Sequence, residues 1–476
     1  MKRGLALSLA LGLLLALLSS CEMFVPDPTE RPSNWWESAE PTESAGPTEN
    51  GELGVDEYGF TIFPEGNYLA DKKFDTDEYL PDYDADPSFY HGYSTSSYGF
   101  CSTEDTIYSF CDHTGADMLI TYTDKATGIS GPLCGRPECL HRDATCNAYV
   151  HRVRFAYGYG GYGYGLSVYD GKLYWIDGGT QIVRANLDGT GRETVGEIQT
   201  ENYEKPHNQM IVFHRGYVYY AGVSNRIING KDAYVITLKA KPLDGGEEFV
   251  ILEKTVDYSL ARILLKPVGN ELYIMLQYRV VELYRWDSKA RQGESLYSET
   301  EPPDGIDYWY ENSFLPVAGD GIYFTGHSED KTEAGYEIRY IFKYSFADGE
   351  VKTVMTFNDE EDRFFRTGWY SNMRFTRDYL VTLHIDKLDD GTYERALCVF
   401  DYDKNLVMTK PMYGNRGIQE FLGADGEYIY FFSIGQEIFS SDTLHEWGDF
   451  IFAPLDGGEF LVIPGYDNNW VDGTLV

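Results

Sequence analysis

The sequence predicts an all-β fold, a β-propeller of seven blades, with six or eight as alternative counts, following a disordered N-terminal tether. Three observations carry this expectation. A strand rich in Tyr and aliphatic residues recurs seven times between about residue 95 and residue 465. Each recurrence is followed by a partner strand and a tight turn. The roughly 420 residues beyond the tether exceed an ordinary domain, yet at about 50 residues per blade one ring accounts for them all.

In a four-stranded blade with strands a to d, the recurring element is strand b. It is read at Thr106-Ile107-Tyr108, Lys172-Leu173-Tyr174-Trp175, Tyr217-Val218-Tyr219, Glu271-Leu272-Tyr273, Gly321-Ile322-Tyr323, Tyr379-Leu380-Val381 and Tyr428-Ile429-Tyr430. The downstream hairpins turn at Lys125-Ala126-Thr127-Gly128, Asp188-Gly189, Asp244-Gly245-Gly246, near Gln292-Gly293, at Asp348-Gly349, Asp403-Lys404-Asn405 and Asp456-Gly457-Gly458. Gly, Asn and Asp are the residues that tight antiparallel connections require. Each blade exposes apolar faces that its neighbours must cover, so Tyr, Phe and Ile at alternating positions are expected to pack blade on blade. With 40 Tyr and 26 Phe in the chain, most aromatics are expected as filler.

Lys2 and Arg3 precede an apolar run from Leu5 to Leu18 that ends in Leu18-Ser19-Ser20-Cys21. This is a signal sequence with small residues before a cysteine, too short and too sharply ended for a comfortable transmembrane helix. The pattern resembles bacterial lipoproteins. That resemblance implies a signal peptide over 1–20, diacylation of Cys21, and a cell-membrane location facing outside the cytoplasm. Residues 21–55, with Pro26, Pro28, Pro32, Pro41 and Pro47 among Ser, Thr and Glu, are expected to form a tether. About 34 such residues reach roughly 30 Å. Residues 56–476 are read as one propeller domain with a Cys-rich loop at 129–150.

Against 39 Lys and Arg stand 76 Asp and Glu, a formal charge of −37, which becomes −39 once Lys2 and Arg3 leave with the signal. Such a surface repels phosphate backbones, so nucleic acid is excluded as a partner, and the protein is expected to be monomeric. Asp82-Tyr83-Asp84-Ala85-Asp86 begins like a calcium loop but places Pro87 where the loop needs Gly and Tyr93 where it needs Glu.

The second blade reads Lys172-Leu173-Tyr174-Trp175-Ile176-Asp177, then Ile182-Val183-Arg184-Ala185-Asn186-Leu187-Asp188-Gly189-Thr190-Gly191-Arg192. It resembles the YWTD repeat of low-density-lipoprotein-receptor-type propellers, with weaker likeness to TolB-like propellers and to uncharacterised bacterial lipoproteins. The match covers about 20 residues. The YWTD class usually has six blades where this chain shows seven, and no receptor function carries over.

Because a meander reverses at each turn, b-to-c loops and blade-to-blade loops emerge on one face, and a-to-b and c-to-d turns on the other. The second kind is short, as at Asp170-Gly171. The first kind is long and holds the candidate ligand-binding rim: Tyr157, Tyr159, Tyr162, Tyr164, Tyr203, His207, Tyr308, Trp309, Tyr310, Arg366, Trp369, Tyr370 and Arg416, with excursions at Ser224 to Lys231 and Ile434 to Trp447. Flat aromatics beside Asn and Arg suit sugar rings or peptide segments. Gly158-Tyr159-Gly160-Gly161-Tyr162-Gly163 fits a dinucleotide fingerprint literally, but no convincing strand precedes it and no helical pattern follows, so it is read as an aromatic loop.

Besides Cys21 there are Cys101, Cys111, Cys134, Cys139, Cys146 and Cys398. Cys134, Cys139, His141 and Cys146 could close a tetrahedral structural zinc site. An exported chain equally favours disulfides, which could draw in Cys101 or Cys111. With the turn at Glu104-Asp105, Cys101 faces Tyr108 and Cys111 points to the opposite sheet face, which disfavours a direct bridge between them. Cys398 is read as core.

No G-x-S-x-G elbow, H-E-x-x-H, Walker loop or Asp box is present, and His445-Glu446-Trp447-Gly448-Asp449 lacks the second zincin His. No catalytic residue is assigned. The preferred expectation is a non-catalytic, membrane-anchored propeller binding a glycan, peptide or envelope protein. The alternatives are a polysaccharide-processing enzyme with paired carboxylates at the channel mouth, and an envelope assembly scaffold with a broad apolar patch.

Overall fold

The computed structural model describes residues 53–65 and most of residues 100–475. Residues 1–52 and 66–99, and several connections including 155–159, 201–209, 308–316, 359–373 and 412–416, lie outside the described residues. Cys21 and the expected signal, the expected tether up to residue 52 and the Asp82 segment fall there. Among the described residues no helix is long and apolar enough to cross a membrane.

Seven antiparallel meander sheets follow one another along the chain. The first joins Phe100–Ser102, Thr106–Asp112, Met118–Asp124 and Ser130–Pro132; the second Tyr164–Tyr169, Lys172–Asp177, Gln181–Asn186 and Glu193–Glu197. The third joins Met210–His214, Tyr217–Ile228, Lys231–Pro242 and Phe249–Val256; the fourth Arg262–Val268, Glu271–Gln277, Val281–Asp287 and Gln292–Ser298. In the fifth, short pieces at Ile306–Asp307 and Val317–Ala318 both pair with Gly321–Lys331, followed by Glu337–Ser345 and Val351–Asn358. The sixth joins Arg374–Phe375, Tyr379–Lys387, Tyr393–Asp401 and Leu406–Pro411, and the seventh Gly417–Ala424, Tyr428–Ser440, Thr443–Pro454 and Leu461–Val471. Every strand b read from the sequence is the second strand of its sheet. Six of the seven c-to-d turns fall between strands c and d as read. In the fourth blade the turn is Ser288–Arg291, and Gln292-Gly293 already begins strand d.

One contact recurs at the seams and explains the Tyr period. The third residue of the strand-b motif, a Tyr in every blade but the sixth, lies against the c-to-d turn of the next blade. Tyr108 donates its hydroxyl to the Leu187 carbonyl at 3.1 Å, and the Tyr219 hydroxyl meets Ser288 Oγ at 2.8 Å. Tyr273 stacks on Phe346 at 5.4 Å, and Tyr323 on Tyr402 at 4.4 Å. Leu243 of the third blade's turn packs against the cluster holding Tyr174. In the sixth blade Val381 takes the Tyr position and clusters with Leu455 of the seventh. The series closes with Lys125 of the first blade's turn, whose Nζ lies 5.6 Å above the Tyr430 ring of the seventh. The seven sheets therefore form a ring, a seven-bladed β-propeller.

Burial in strand b is continuous, not alternating: Leu173 through Asp177 and Leu272 through Gln277 are all buried. A blade has a neighbour on each face, so both sides of its middle strands are covered, as in any doubly covered sheet. Strand d, at the rim of the ring, shows partial exposure instead, as in Gln292–Ser298.

Residues 53–65 form a strap on the ring. Phe60 bridges Leu252 on strand d of the third blade; the Thr61 N–H donates to the Ile251 carbonyl at 2.9 Å, and the Glu253 N–H to the Gly59 carbonyl at 3.0 Å. The buried Phe60 ring lies 6.2 Å from Trp286 in stacked geometry, and a Cβ on Gly293 would come within 2.3 Å of it. The strap thus adds to the edge of the third blade and fills a gap against the fourth.

Candidate functional site

Among the described residues of the long-loop face, several b-to-c connections are extended strand. In the third blade the ladder runs from Tyr217↔Pro242 to Ile228↔Lys231, while strand a follows it only as far as Ala221 and strand d as far as Tyr234. Asn225 to Ala233 therefore project beyond the blade body as a hairpin. Ile227 near its tip is 76 % exposed, and Arg226 pairs with Glu253 at its base, 3.3 Å apart. The sixth blade carries a comparable projection at Ile385–Lys387 with Tyr393–Arg395, beyond the reach of strand d at Ala396. In the seventh blade the extension at Gly435–Ser440 with Thr443–Trp447 outruns strand a only, because strand d pairs along it as far as Thr443↔Val471. The second and fourth blades instead turn tightly after Asp177 and Gln277. The Ser224 to Lys231 and Ile434 to Trp447 excursions are extended hairpins because the strand pairing continues through them.

Of the candidate rim residues, Tyr164 begins strand a of the second blade opposite Ile176. Tyr157, Tyr159, Tyr162, Tyr203, His207, Tyr308, Trp309, Tyr310, Arg366, Trp369, Tyr370 and Arg416 lie outside the described residues. The glycine-rich stretch contributes Gly160–Gly161 to a small ribbon with Val153–Arg154, and a strand follows it.

The Cys-rich loop is an excursion inside strand d of the first blade. That strand is split: Ser130–Pro132 and Tyr149–Val150 both pair with Met118–Asp124. The two feet meet at one residue, since the Leu133 N–H donates to the Ile120 carbonyl and the Ile120 N–H to the Ala148 carbonyl, both at 2.8 Å. Between the feet, Cys134, Cys139, His141 and Cys146 converge, with their ligand atoms all within 4.8 Å of one another. Two backbone turns set the ligands: the Cys139 N–H donates to the Arg136 carbonyl at 3.1 Å, and the Cys146 N–H to the Asp143 carbonyl at 2.9 Å. His141 holds φ at +55°, a left-handed conformation that costs a non-glycine residue about 1 kcal/mol or more, and its Nδ1 sits 3.3 Å from Cys146 Sγ.

Arg136 donates to Cys139 Sγ at 3.3 Å and to the Thr145 carbonyl. Partial burial works against ionisation of Cys134, but the N–H groups of Arg136 and Asn147 and the Arg136 guanidinium outweigh it and bring its pKa down to about 6. Burial instead pushes the Cys146 thiol up to about 12, with the neighbouring thiols adding to the rise. Among the described residues no disulfide joins Cys101, Cys134, Cys139, Cys146 or Cys398. Cys101 pairs with Tyr108 as its register predicts; it is buried in the same apolar cluster as Cys146 but stands outside the four converging ligands. The side chain of Cys111 lies outside the described residues.

Arg192 ties this loop to the second blade. Its Nη2 pairs with Asp177 Oδ2 at 2.6 Å, while Nη1 donates to the carbonyls of Asn147, at 3.1 Å, and Tyr149. The guanidinium lies over the Trp175 ring at 5.3 Å. Arg136, Asp177 and Arg192 were not singled out by sequence reasoning as site residues, although Asp177 and Arg192 end the two segments of the YWTD-like repeat.

No family model and no curated protein matches the chain. Among solved structures, it is similar to prolyl endopeptidases studied for inter-domain dynamics, at 11 % identity over 85 % of this chain and 53 % of that one, with a TM-score of 0.45. An acylaminoacyl peptidase from Pyrococcus horikoshii gives 13 % identity over 76 % and 51 %, with a TM-score of 0.44. The β-propeller domain of the Trilobed protease from Pyrococcus furiosus gives 13 % over 55 % and 79 %, with a TM-score of 0.29. The chain spans about half the length of the two peptidases.

Proposed function

We propose that this chain is a membrane-tethered, non-catalytic recognition module whose projecting-hairpin face binds a glycan, peptide or envelope protein. The observation that carries the reading is the asymmetry of the ring: on the face where the b-to-c connections emerge, hairpins of the third and sixth blades extend past strands a and d, and strands b, c and d of the seventh extend past strand a. A rigid ring with projections on one side presents loops at fixed separations, the usual way a scaffold carries recognition. Lipidation at Cys21 would anchor the module outside the cytoplasm, with residues 21–55 as spacer and the YWTD- and TolB-like likeness of the second blade as its kinship.

Glycan and peptide arrays probed with residues 22–476, which include the whole compact unit 45–476, test the reading. Binding that falls at least about ten-fold in Ile227→Asp, Trp309→Ala or Trp369→Ala supports it. Binding unchanged in all three, or depolymerisation of a bound glycan, overturns it. Labelling with palmitate, lost in Cys21→Ala, tests the anchor.

A further inference from the structure

The geometry points to a structural zinc site formed by Cys134, Cys139, His141 and Cys146, which closes the excursion of the first blade and supports its seam with the second. Four observations converge. The ligand atoms lie within 4.8 Å of one another, close to the edges of about 3.8 Å that a tetrahedron with zinc–sulfur bonds of roughly 2.3 Å requires. The edge from His141 Nδ1 to Cys146 Sγ, at 3.3 Å, is already that short.

The stoichiometry of the cluster also favours a metal over covalent pairing. Three thiols cannot all pair among themselves, and Cys101, on the strand Phe100–Ser102 opposite Tyr108, stands outside the converging four. The backbone at His141 is held at φ +55°, and its imidazole joins the three sulfurs. Finally, three thiolates and a neutral imidazole around a divalent ion leave one negative charge. Arg136, donating to Cys139 Sγ at 3.3 Å, supplies the compensating positive charge.

Thiolate and imidazole donors in a four-ligand set suit zinc, a borderline-soft ion without geometric preference of its own. All four positions are taken by protein, so no place remains for water or substrate and the role is structural. The loop so fixed bears on the second blade at two points. The Leu133 carbonyl lies against the Gly189 turn, and the carbonyls of Asn147 and Tyr149 are held by Arg192. Zinc would therefore brace a seam between blades as well as a loop.

Metal analysis of the full chain, purified in detergent, reduced and reloaded with zinc or cobalt, tests this. Expected are one equivalent of tightly held zinc and, with cobalt, intense tetrahedral d–d bands plus thiolate-to-cobalt charge transfer. Cys139→Ser and His141→Ala should lower zinc content, Cys398→Ala should leave it unchanged, and Arg136→Met, which keeps all four ligands, should weaken affinity about 10- to 100-fold. The site is refuted if the reduced wild-type chain takes up no equivalent of zinc, or if bound cobalt shows no charge transfer, as for ions held by surface carboxylates. A disulfide among Cys134, Cys139 and Cys146 in chain isolated without reductant and free of metal refutes it too. The wild-type measurements decide the matter even where a ligand variant fails to fold.

Discussion

Arg192 and Asp177 form a nearly buried ion pair, 2.6 Å between Nη2 and Oδ2, with the carboxylate side chain 5 % exposed and that of the arginine 19 %. Asp177 also accepts the His151 backbone N–H at 2.7 Å. The pair sits where the Cys-rich loop, the link into the second blade and strand b of that blade meet. Removing one member of such a pair strands the other charge and typically costs about 3–5 kcal/mol. Arg192→Met is therefore expected to lower unfolding free energy by about 3 kcal/mol or more in urea titrations. Arg184→Met removes an exposed pair with Glu193 and should cost under about 1 kcal/mol.

The repeat was legible because its two signals, a Tyr-bearing strand and a Gly- or Asp-marked turn, are local. That strand b of one blade packs on the c-to-d turn of the next was not legible, since Tyr108 and Leu187 are far apart in sequence and the rule emerges only once the ring is closed. The set Cys134, Cys139, His141 and Cys146 was readable from spacing, but its seat was not. Nothing in the sequence shows that Pro132 and Tyr149 belong to one interrupted strand, because each fragment is too short to carry a strand pattern. The strap was missed for a similar reason. Phe60 makes a single bridge, and a lone aromatic next to a Pro-rich stretch has no periodicity to betray it.

Gly189 offers a clean test of contact between the loop and the second blade. Its φ is +78°, and a Cβ there would lie 2.4 Å from the Leu133 carbonyl oxygen, a backbone atom that cannot step aside cheaply. Gly171, at φ +66°, has open space around its Cβ position. Both Ala substitutions incur left-handed strain of about 1 kcal/mol. Gly189→Ala should therefore destabilise clearly more than Gly171→Ala, by thermal or urea unfolding. Equal losses would show that the turn does not bear on the loop.

Phe60 should contribute to the stability of the ring although it lies far from any blade in sequence. Its ring contacts Tyr284 edge-on at 5.4 Å and stacks near Trp286, and it is 1 % exposed. Phe60→Ala is expected to cost about 3–5 kcal/mol. A fragment beginning at residue 66 should show a comparable loss relative to one beginning at residue 45. If the two fragments unfold at the same urea concentration, the strap is not part of the folded unit.

His214 predicts how stability depends on pH. It is fully buried, and loss of solvent, with the Arg215 cation adding, brings its pKa down to about 3 from an ordinary 6.5. The unfolded chain therefore binds a proton that the folded protein refuses until far lower pH. The stability that neutral His214 provides is complete above about pH 6.5 and is lost progressively as pH falls from there toward 3. Between pH 7 and pH 5 the loss amounts to about 2 kcal/mol. His214→Phe keeps a ring 6.3 Å from Tyr219 and removes the titrating group. The difference in urea unfolding free energy between wild type and variant should therefore change by about 2 kcal/mol over that interval, in the direction of a relatively weaker wild type at pH 5. A difference that stays constant with pH would mean that His214 is not held neutral in the folded protein.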